Sequence, residues 1–248
     1  MSDDRIIEVG PFEVPDLPSR MARVFVPKGF ADQEFKPLLV MFDGQNVFDD
    51  EPSFSGGWHV HDVVTAMSPD IYWRPAVVGI NHTNEGRLDG LGPFHTRKGG
   101  GKADKLLAWA GETLLPMLHA HFELTGGSVG TVVGGSSMGG LASIYAHFAR
   151  PDLFGGAIVM SPSLWFGKKK VFDFIRHAPT PDPSRIYLDW GSGEGEEMAG
   201  NAKAMAKHLR SRGYSDKQLR VVEDPDGKHS EADWLRRIPG ALSFMFSR

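Results

Sequence analysis

"TVVGGSSMGGLASIYAHFAR", residues 131–150, runs from a β-branched stretch through clustered glycines into a helix-forming stretch. Thr131–Gly134 reads as a buried strand and Met138–Arg150 as a helix. Between them, Gly135-Ser136-Ser137-Met138-Gly139 fits the pattern G-x-S-x-G with Ser137 at its centre. In that pattern the serine occupies a strained strand-to-helix turn. Side chains two residues to either side would collide, so glycine is needed there. The exposed hydroxyl then stands at a helix N-terminus, where partial positive charge favours a developing oxyanion. In a chain with 30 glycines the pattern alone is weak, and a purely structural glycine turn competes with it. The strand before it and the helix after it are what favour a nucleophile.

Outward from this turn the chain alternates apolar runs with helical spacing. Strands are expected at Met21–Val26, Leu38–Phe42, Ala76–Ile80, Ala157–Met160, Arg185–Trp190 and Leu219–Glu223. Helical stripes fall in 102–122 (Leu106, Trp109, Leu114 and Leu118, with Pro116 expected to kink or divide it), 200–212, and 231–246, where Pro239 implies a kink. This alternation implies an α/β fold, a mostly parallel central sheet with helices on both faces. The first strands lack intervening helices, so that edge is expected to be antiparallel. Connections at 43–57, 81–101 and 161–170 are too long for simple turns and are candidate site loops.

The composition narrows the function. A chain of 248 residues with 41% hydrophobic residues suits one α/β domain spanning 1–248. The net charge of −4 offers no basic excess for nucleic acid. The absence of cysteine excludes disulfides, thiolate metal sites and cysteine nucleophiles. No apolar run reaches membrane-spanning length, and the acidic start Met1-Ser2-Asp3-Asp4 does not read as a secretory signal, so a cytoplasmic location is expected.

A serine nucleophile needs a base. Among ten histidines, the pairs His59/His61 and His119/His121 lack a helical metal spacing, and each reads more readily as ordinary surface than as a ligand pair. His147, His177 and His208 read as helix-surface residues. His229, in "EDPDGKHSEADW", follows the last strand and precedes the last helix, where the base of a nucleophile–acid–base order belongs; helix capping is the competing reading. For the acid, Asp189, Glu194, Asp224 and Asp226 compete. Asp189 lies inside a strand, and "DPDG" reads as a turn whose aspartates bond their own backbone. Glu194, in "GSGEG" just past a strand end, is preferred, with a Ser–His dyad as the alternative.

Four stretches together carry a family resemblance over nearly the whole chain. They are "LLVMFDGQNVFDD", "GGSSMGGLASIYAHFARPDLFGGAIVMSPSLWF", "IYLDWGSGEG" and "DGKHSEADWLRRIPGALSFMF". The chain resembles the esterase family of α/β-hydrolases. That family includes enterochelin-type siderophore esterases, feruloyl and acetylxylan esterases, S-formylglutathione hydrolases and mycolyltransferases. The resemblance implies an α/β-hydrolase fold, Ser137 as nucleophile, His229 as base, an Asp or Glu after the Gly-rich turn as acid, and no metal or organic cofactor. It also implies an oxyanion hole from the backbone N–H groups of Gln45 and Met138. An ordinary Asp-Gly turn is the competing reading of Asp43-Gly44-Gln45-Asn46. Gly44, Trp58, Arg87, Trp165 and Phe166 are candidate substrate-binding residues; an aromatic pair in a loop also reads as a plug. The chain departs from the family in "NEGRLDGLGPFHTRKGGGK", where Arg87 matches but Gly90 and Leu91 replace an acidic–aromatic pair. Residues 84–101 are expected to form a lid or rim. The implied activity is hydrolysis of a small-molecule ester. Acyl transfer or thioester cleavage by the same groups, and a catalytically silent binding module, are the alternatives.

Overall fold

Strands that are apolar at every position can be covered on both faces, and such strands form the centre of the sheet. Leu38–Phe42 (β3), Ala76–Ile80 (β4), Thr131–Ser136 (β5) and Gly156–Met160 (β6) are buried along their whole length. The computed structural model describes residues 5–53 and 55–248. Two strands precede this centre, Ile6–Val14 (β1) and Leu17–Phe25 (β2), and two follow it, Arg185–Gly191 (β7) and Leu219–Asp224 (β8). All eight join in one sheet, in the order β1-β2-β4-β3-β5-β6-β7-β8. β3 to β8 run parallel, whereas β2 is antiparallel to both β1 and β4, so the expected antiparallel edge is present.

The two-residue period of a strand divides the core. Leu38, Val40 and Phe42 face one apolar layer, while Leu39 and Met41 face the other. The first layer is covered by Arg87–Leu91 (α2), Ala103–Trp109 (α3), Leu115–Phe122 (α4), Met138–Ala149 (α5), Lys170–His177 (α6) and Glu196–Ser211 (α7). The second is covered by Val60–Ala66 (α1) and Glu231–Met245 (α8), with Trp234, Ile238 and Leu242 four residues apart on one stripe. No helix among the described residues is long and apolar enough to cross a membrane.

Several local readings change. β1 was not among the expected strands. It is half-exposed and carries Gly10-Pro11, where the pairing with β2 shifts register. An edge strand tolerates a proline that a central strand would not. The expected break near Pro116 is a π-helical turn over Ala110–Leu114, between α3 and α4. Pro116 has no N–H to give to the carbonyl of Glu112, and the widened turn absorbs that missing bond. Pro239 lies within α8. Residues 84–101 form a rim tied down by Asp89: Gly100 N–H donates to its carboxylate at 2.9 Å and Lys102 N–H to its carbonyl at 3.0 Å.

His147 is a correction. The sequence places it on the surface of its helix, whereas it is fully buried. Its Nδ1 lies 3.0 Å from the Phe154 carbonyl, and its Nε2 lies 2.7 Å from Ser184 Oγ, which in turn meets Tyr214 Oη at 2.8 Å. The Phe154 carbonyl requires a proton on Nδ1, which leaves Nε2 to accept from Ser184. Burial pushes the imidazole down to about 4, against the hydrogen bond to Phe154. The unfolded chain therefore takes up this proton first, and stability that is complete above the ordinary histidine range is lost as pH falls from about 6.5 to about 4. At about 1.4 kcal/mol per pH unit the loss is about 3 kcal/mol. Urea titrations at stepped pH should show this slope in the wild type and a shallower one in His147→Gln.

Candidate active site

All the elements that bear on the motif end at the same edge, the C-terminal ends of the parallel strands, where α/β sheets place their ligands. β5 ends at Ser136, and Ser137 follows with φ 53° and ψ −117°, a conformation that strains any side chain. A Cβ on Gly135 would stand 2.8 Å from the Gly139 carbonyl carbon, so the two outer glycines of the motif are in contact, as the collision argument requires. Ser136 is buried, whereas Ser137 is partly exposed. Ser137 N–H donates to the Met160 carbonyl at 3.0 Å, and Ser163 N–H donates to the Ser137 carbonyl at 2.9 Å. Ser137 Oγ lies 3.2 Å from Ser163 Oγ. Among the described residues it makes no hydrogen bond to His229.

β3 delivers the second part. Asp43 takes a left-handed conformation (φ 56°, ψ 49°) and starts a 3₁₀ turn over Gly44–Asn46. A side chain at Gly44 would overlap the Gly79 backbone of β4, with Cβ 2.3 Å from its carbonyl carbon, so only glycine lets the turn lie this close to the sheet. Gln45 and Met138 both lie in first helical turns, whose N–H groups have no acceptor within their own helix. The Gln45 side chain accepts from His82 N–H at 3.2 Å. Asn46 Nδ2 donates to Glu231 Oε1 at 3.2 Å, and burial raises the Glu231 pKa.

Arg87 is held rather than free. Its Nε and Nη2 donate to the two carboxylate oxygens of buried Asp43, each at 2.8 Å. Burial alone would lower the guanidinium pKa, but the hydrogen bond and the charge of Asp43 outweigh it and raise it. The arginine therefore clamps the turn that carries Gly44 and Gln45.

β7 and β8 deliver the third part. Beyond β7 a 3₁₀ turn over Ser192–Glu194 places Glu194 Oε2 3.1 Å from His229 Nδ1. The Glu194 side chain has no exposed surface. Its Oε1 accepts from Ser161 Oγ at 2.5 Å, Gly191 N–H at 2.8 Å and Arg237 Nη2 at 3.3 Å. Burial by itself would raise the carboxyl pKa, yet the hydrogen bonds from His229, Ser161 and Gly191 together lower it, so Glu194 is ionised. The other three carboxylates are engaged elsewhere or stand apart from His229. Asp189 is fully buried, 3.2 Å from Arg237 Nη1, and burial pushes its pKa up to about 7. Asp224 Oδ2 pairs with Arg236 at 2.8 Å, and Asp226 donates its N–H to Asp224 within the turn. Ser230, next to His229, caps α8 by accepting from Asp233 N–H at 3.3 Å, which leaves the His229 ring free of that task.

The candidate aromatic residues separate. Trp58 is buried behind His229: it packs against Trp234 at 5.6 Å, and Trp234 meets the His229 ring edge-on at 4.9 Å. Phe166 is buried beside Gly92 and Gly100, the plug that an aromatic loop pair can supply. Trp165 is 38% exposed and borders a cavity of about 700 Å³ with His95, Arg97, Lys98 and Lys170. Sequence reasoning missed Ser161, Ser163 and Arg237. The two serines stand in "MSPSLW" directly after β6, and such a polar pair at a strand's C-terminal end was the available signal. Nothing in the helical stripe of α8 marks Arg237 as an inward residue.

The chain and its fold have relatives. The uncharacterized protein YbbA of Bacillus subtilis (strain 168) is 23% identical over 245 residues, covering 93% of this chain and 94% of that one. The crystal structure of the BES protein from Bacillus cereus superposes with a TM-score of 0.79 at 18% identity, covering 99% of this chain and 97% of that one. The enterobactin esterase FES from Shigella flexneri gives 0.78 at 20% identity, covering 97% of this chain and 59% of that one. Residues 17–245 match the family model described as "Putative esterase". The chain therefore belongs to that family of esterases, built on the α/β-hydrolase fold.

Proposed function

We propose that the protein is a serine carboxylic-ester hydrolase working through an acyl-enzyme on Ser137. The observation that carries this reading is the Ser137 backbone. A glycine-rich connection has no need to hold a non-glycine residue at φ 53°, ψ −117° at the head of a helix, whereas an exposed nucleophile does. In this reading Glu194 fixes the His229 ring through Nδ1–H and leaves Nε2 to act as base. As substrate binds, the Ser137 hydroxyl turns from Ser163 to His229, since catalytic hydrogen bonds commonly tighten only in the complex. Oγ attacks the ester carbonyl and its proton passes to His229. The Gln45 and Met138 N–H groups stabilise the tetrahedral oxyanion. His229 then protonates the leaving alcohol, and water repeats the sequence to free the acid. The imidazolium formed on the way is stabilised by ionised Glu194.

The substrate side is supported by the Trp165 cavity. Lys98 Nζ lies 5.5 Å from the centre of the Trp165 ring, and Arg97, Lys168 and Lys170 line the same cavity. The segment that carries Trp165 leads directly from Ser163, beside Ser137. A cation-rimmed indole suits an ester with an aromatic, negatively charged acyl or alcohol part. FES is by name an esterase of enterobactin, and its structure was determined in the presence of 2,3-dihydroxy-N-benzoyl-glycine, a molecule that carries an aromatic ring. Trp165→Ala should lower kcat/KM for aryl esters about three- to tenfold relative to acetyl esters. An equal loss across all esters, together with a lower Tm, would instead make Trp165 a packing residue.

The general test is a fluorophosphonate probe followed by peptide mass spectrometry. Labelling at Ser137, with turnover of a p-nitrophenyl ester, is the expected result. Native protein that neither labels nor turns over would leave a silent binding module on an esterase fold. Faster turnover of a thioester, or transfer to an added alcohol in preference to water, would move the assignment to a thioesterase or an acyltransferase.

A further inference from the structure

On the other side of the Gln45 turn, five side chains converge around the start of α1. His59 Nδ1 lies 3.5 Å from Asp62 Oδ2, and His61 Nε2 lies 3.5 Å from Asp62 Oδ1 and 3.7 Å from Asp49 Oδ1. The ligand atoms of His59, His61 and Asp62 all fall within 4.8 Å of one another. These spacings are long for hydrogen bonds between the groups. They are close to the edge of a metal coordination tetrahedron: ligands at about 2.0–2.1 Å from zinc stand about 3.3–3.4 Å apart.

The surrounding groups prepare the same three atoms. Asp50 Oδ1 lies 3.1 Å from His59 Nε2 and also accepts Gly57 N–H at 3.0 Å. That carboxylate accepts a hydrogen bond from His59 Nε2–H and so leaves the Nδ1 lone pair facing Asp62. This carboxylate–imidazole pairing is the usual outer support of a metal-bound histidine. Arg23 Nη2 holds Asp49 Oδ2 at 2.7 Å and leaves Oδ1 turned toward His61. The His61 ring is fixed edge-to-face against Phe25 at 5.8 Å and Phe48 at 5.9 Å. The Asp62 side chain is 70% exposed, which gives an ion an open approach.

We infer that His59, His61 and Asp62 form a binding site for one divalent transition-metal ion, with solvent completing its coordination. Two imidazole nitrogens beside carboxylates select the zinc, cobalt and nickel class over magnesium or calcium, whose sites are built from oxygen. The site is separate from the Ser137 constellation, and its proposal does not rest on the esterase reading. Its consequence for that constellation is mechanical. The backbone of 58–60 donates to the carbonyls of Asn46, Phe48 and Val47 at 2.8–3.0 Å, so an ion held by His59, His61 and Asp62 braces the start of α1 where it is tied to the loop that continues from Gln45.

Isothermal titration of the untagged, EDTA-treated protein with Zn²⁺ tests the site. One equivalent should bind, and Co²⁺ in its place should give visible ligand-field bands. His59→Gln and Asp62→Asn should each weaken Zn²⁺ binding by more than about tenfold. His119→Gln with His121→Gln, at the other histidine pair, should leave it unchanged. Asp62→Asn keeps the test independent of folding, since that exposed side chain supports no packing. No Zn²⁺ uptake by the wild type, undiminished wild-type affinity in both ligand variants, or loss of binding in the His119/His121 variant would each overturn the proposal.

Discussion

Ser137→Ala should remove ester hydrolysis, with kcat/KM falling by about four to six orders of magnitude while circular dichroism and Tm stay near wild type. Nucleophile and base act as a unit, so adding His229→Ala to Ser137→Ala should cost little more. The neighbouring serine is the internal control. Ser136 is the last residue of β5 and buried, so Ser136→Ala should retain turnover and probe labelling. Loss in the Ser136 variant with retention in the Ser137 variant would shift the register of the turn by one residue and sink the proposed site. Deleting the hydroxyl should have little effect on the backbone, because the strain at Ser137 is held by contacts around it: its N–H on the Met160 carbonyl and its carbonyl under Ser163 N–H.

The second large effect is expected on stability. Arg237 is 6% exposed and lies among Asp189, Glu194 and Ser161. Arg237→Met fills a similar volume but leaves two buried carboxylates without their cation. Breaking a buried pair from one side costs about 3–5 kcal/mol, because the remaining charge is uncompensated. Urea unfolding should show a loss of that size. Arg237→Met combined with Asp189→Asn should change the loss little, since burial already raises the Asp189 pKa to about 7 and the carboxyl takes up a proton once Arg237 is gone, leaving Glu194 as the stranded charge. If the single variant unfolds like wild type, the cluster contributes no net stability. Activity should fall as well, because Glu194 Oε1 loses one of its three donors and the carboxylate proposed to orient His229 is less firmly placed.

The two predictions also mark what could be read from the chain and what could not. Ser137 was legible because its requirements are local: glycines at fixed offsets, a β-branched run before and a helix former after. His229 and Glu194 were legible as candidates because chain order and position past a strand end reduced a large set of histidines and carboxylates to a few, and the 3.1 Å pairing of their side chains is consistent with that choice. Arg237 was not legible, because its partners sit 43 and 76 residues away and it faces them only once α8 lies across the sheet. His147 was misread for a related reason. A polar residue on a helix is ordinarily placed toward water, and its partners, Phe154 and Ser184, come from a loop and from the approach to β7. β1 escaped because a half-exposed edge strand interrupted by Gly10-Pro11 carries neither a continuous apolar run nor a clean alternation.

The joining of Glu194 to α8 also has a bearing on biosynthesis. Ser161 Oγ accepts from Trp234 Nε1 at 3.0 Å and from Arg237 Nη2 at 2.9 Å while donating to Glu194, so the carboxylate is locked by residues near the end of the chain. A nascent polypeptide that has already exposed its serine on the ribosome still lacks the helix that sets the acid. The proposed nucleophile and acid thus become available at different moments of synthesis, the acid only once α8 has been made and packed. Stalled chains ending at Ser230, which keep His229 but lack α8, should therefore resist the fluorophosphonate probe that labels the released protein, and labelling of such chains would show that the site matures without that helix.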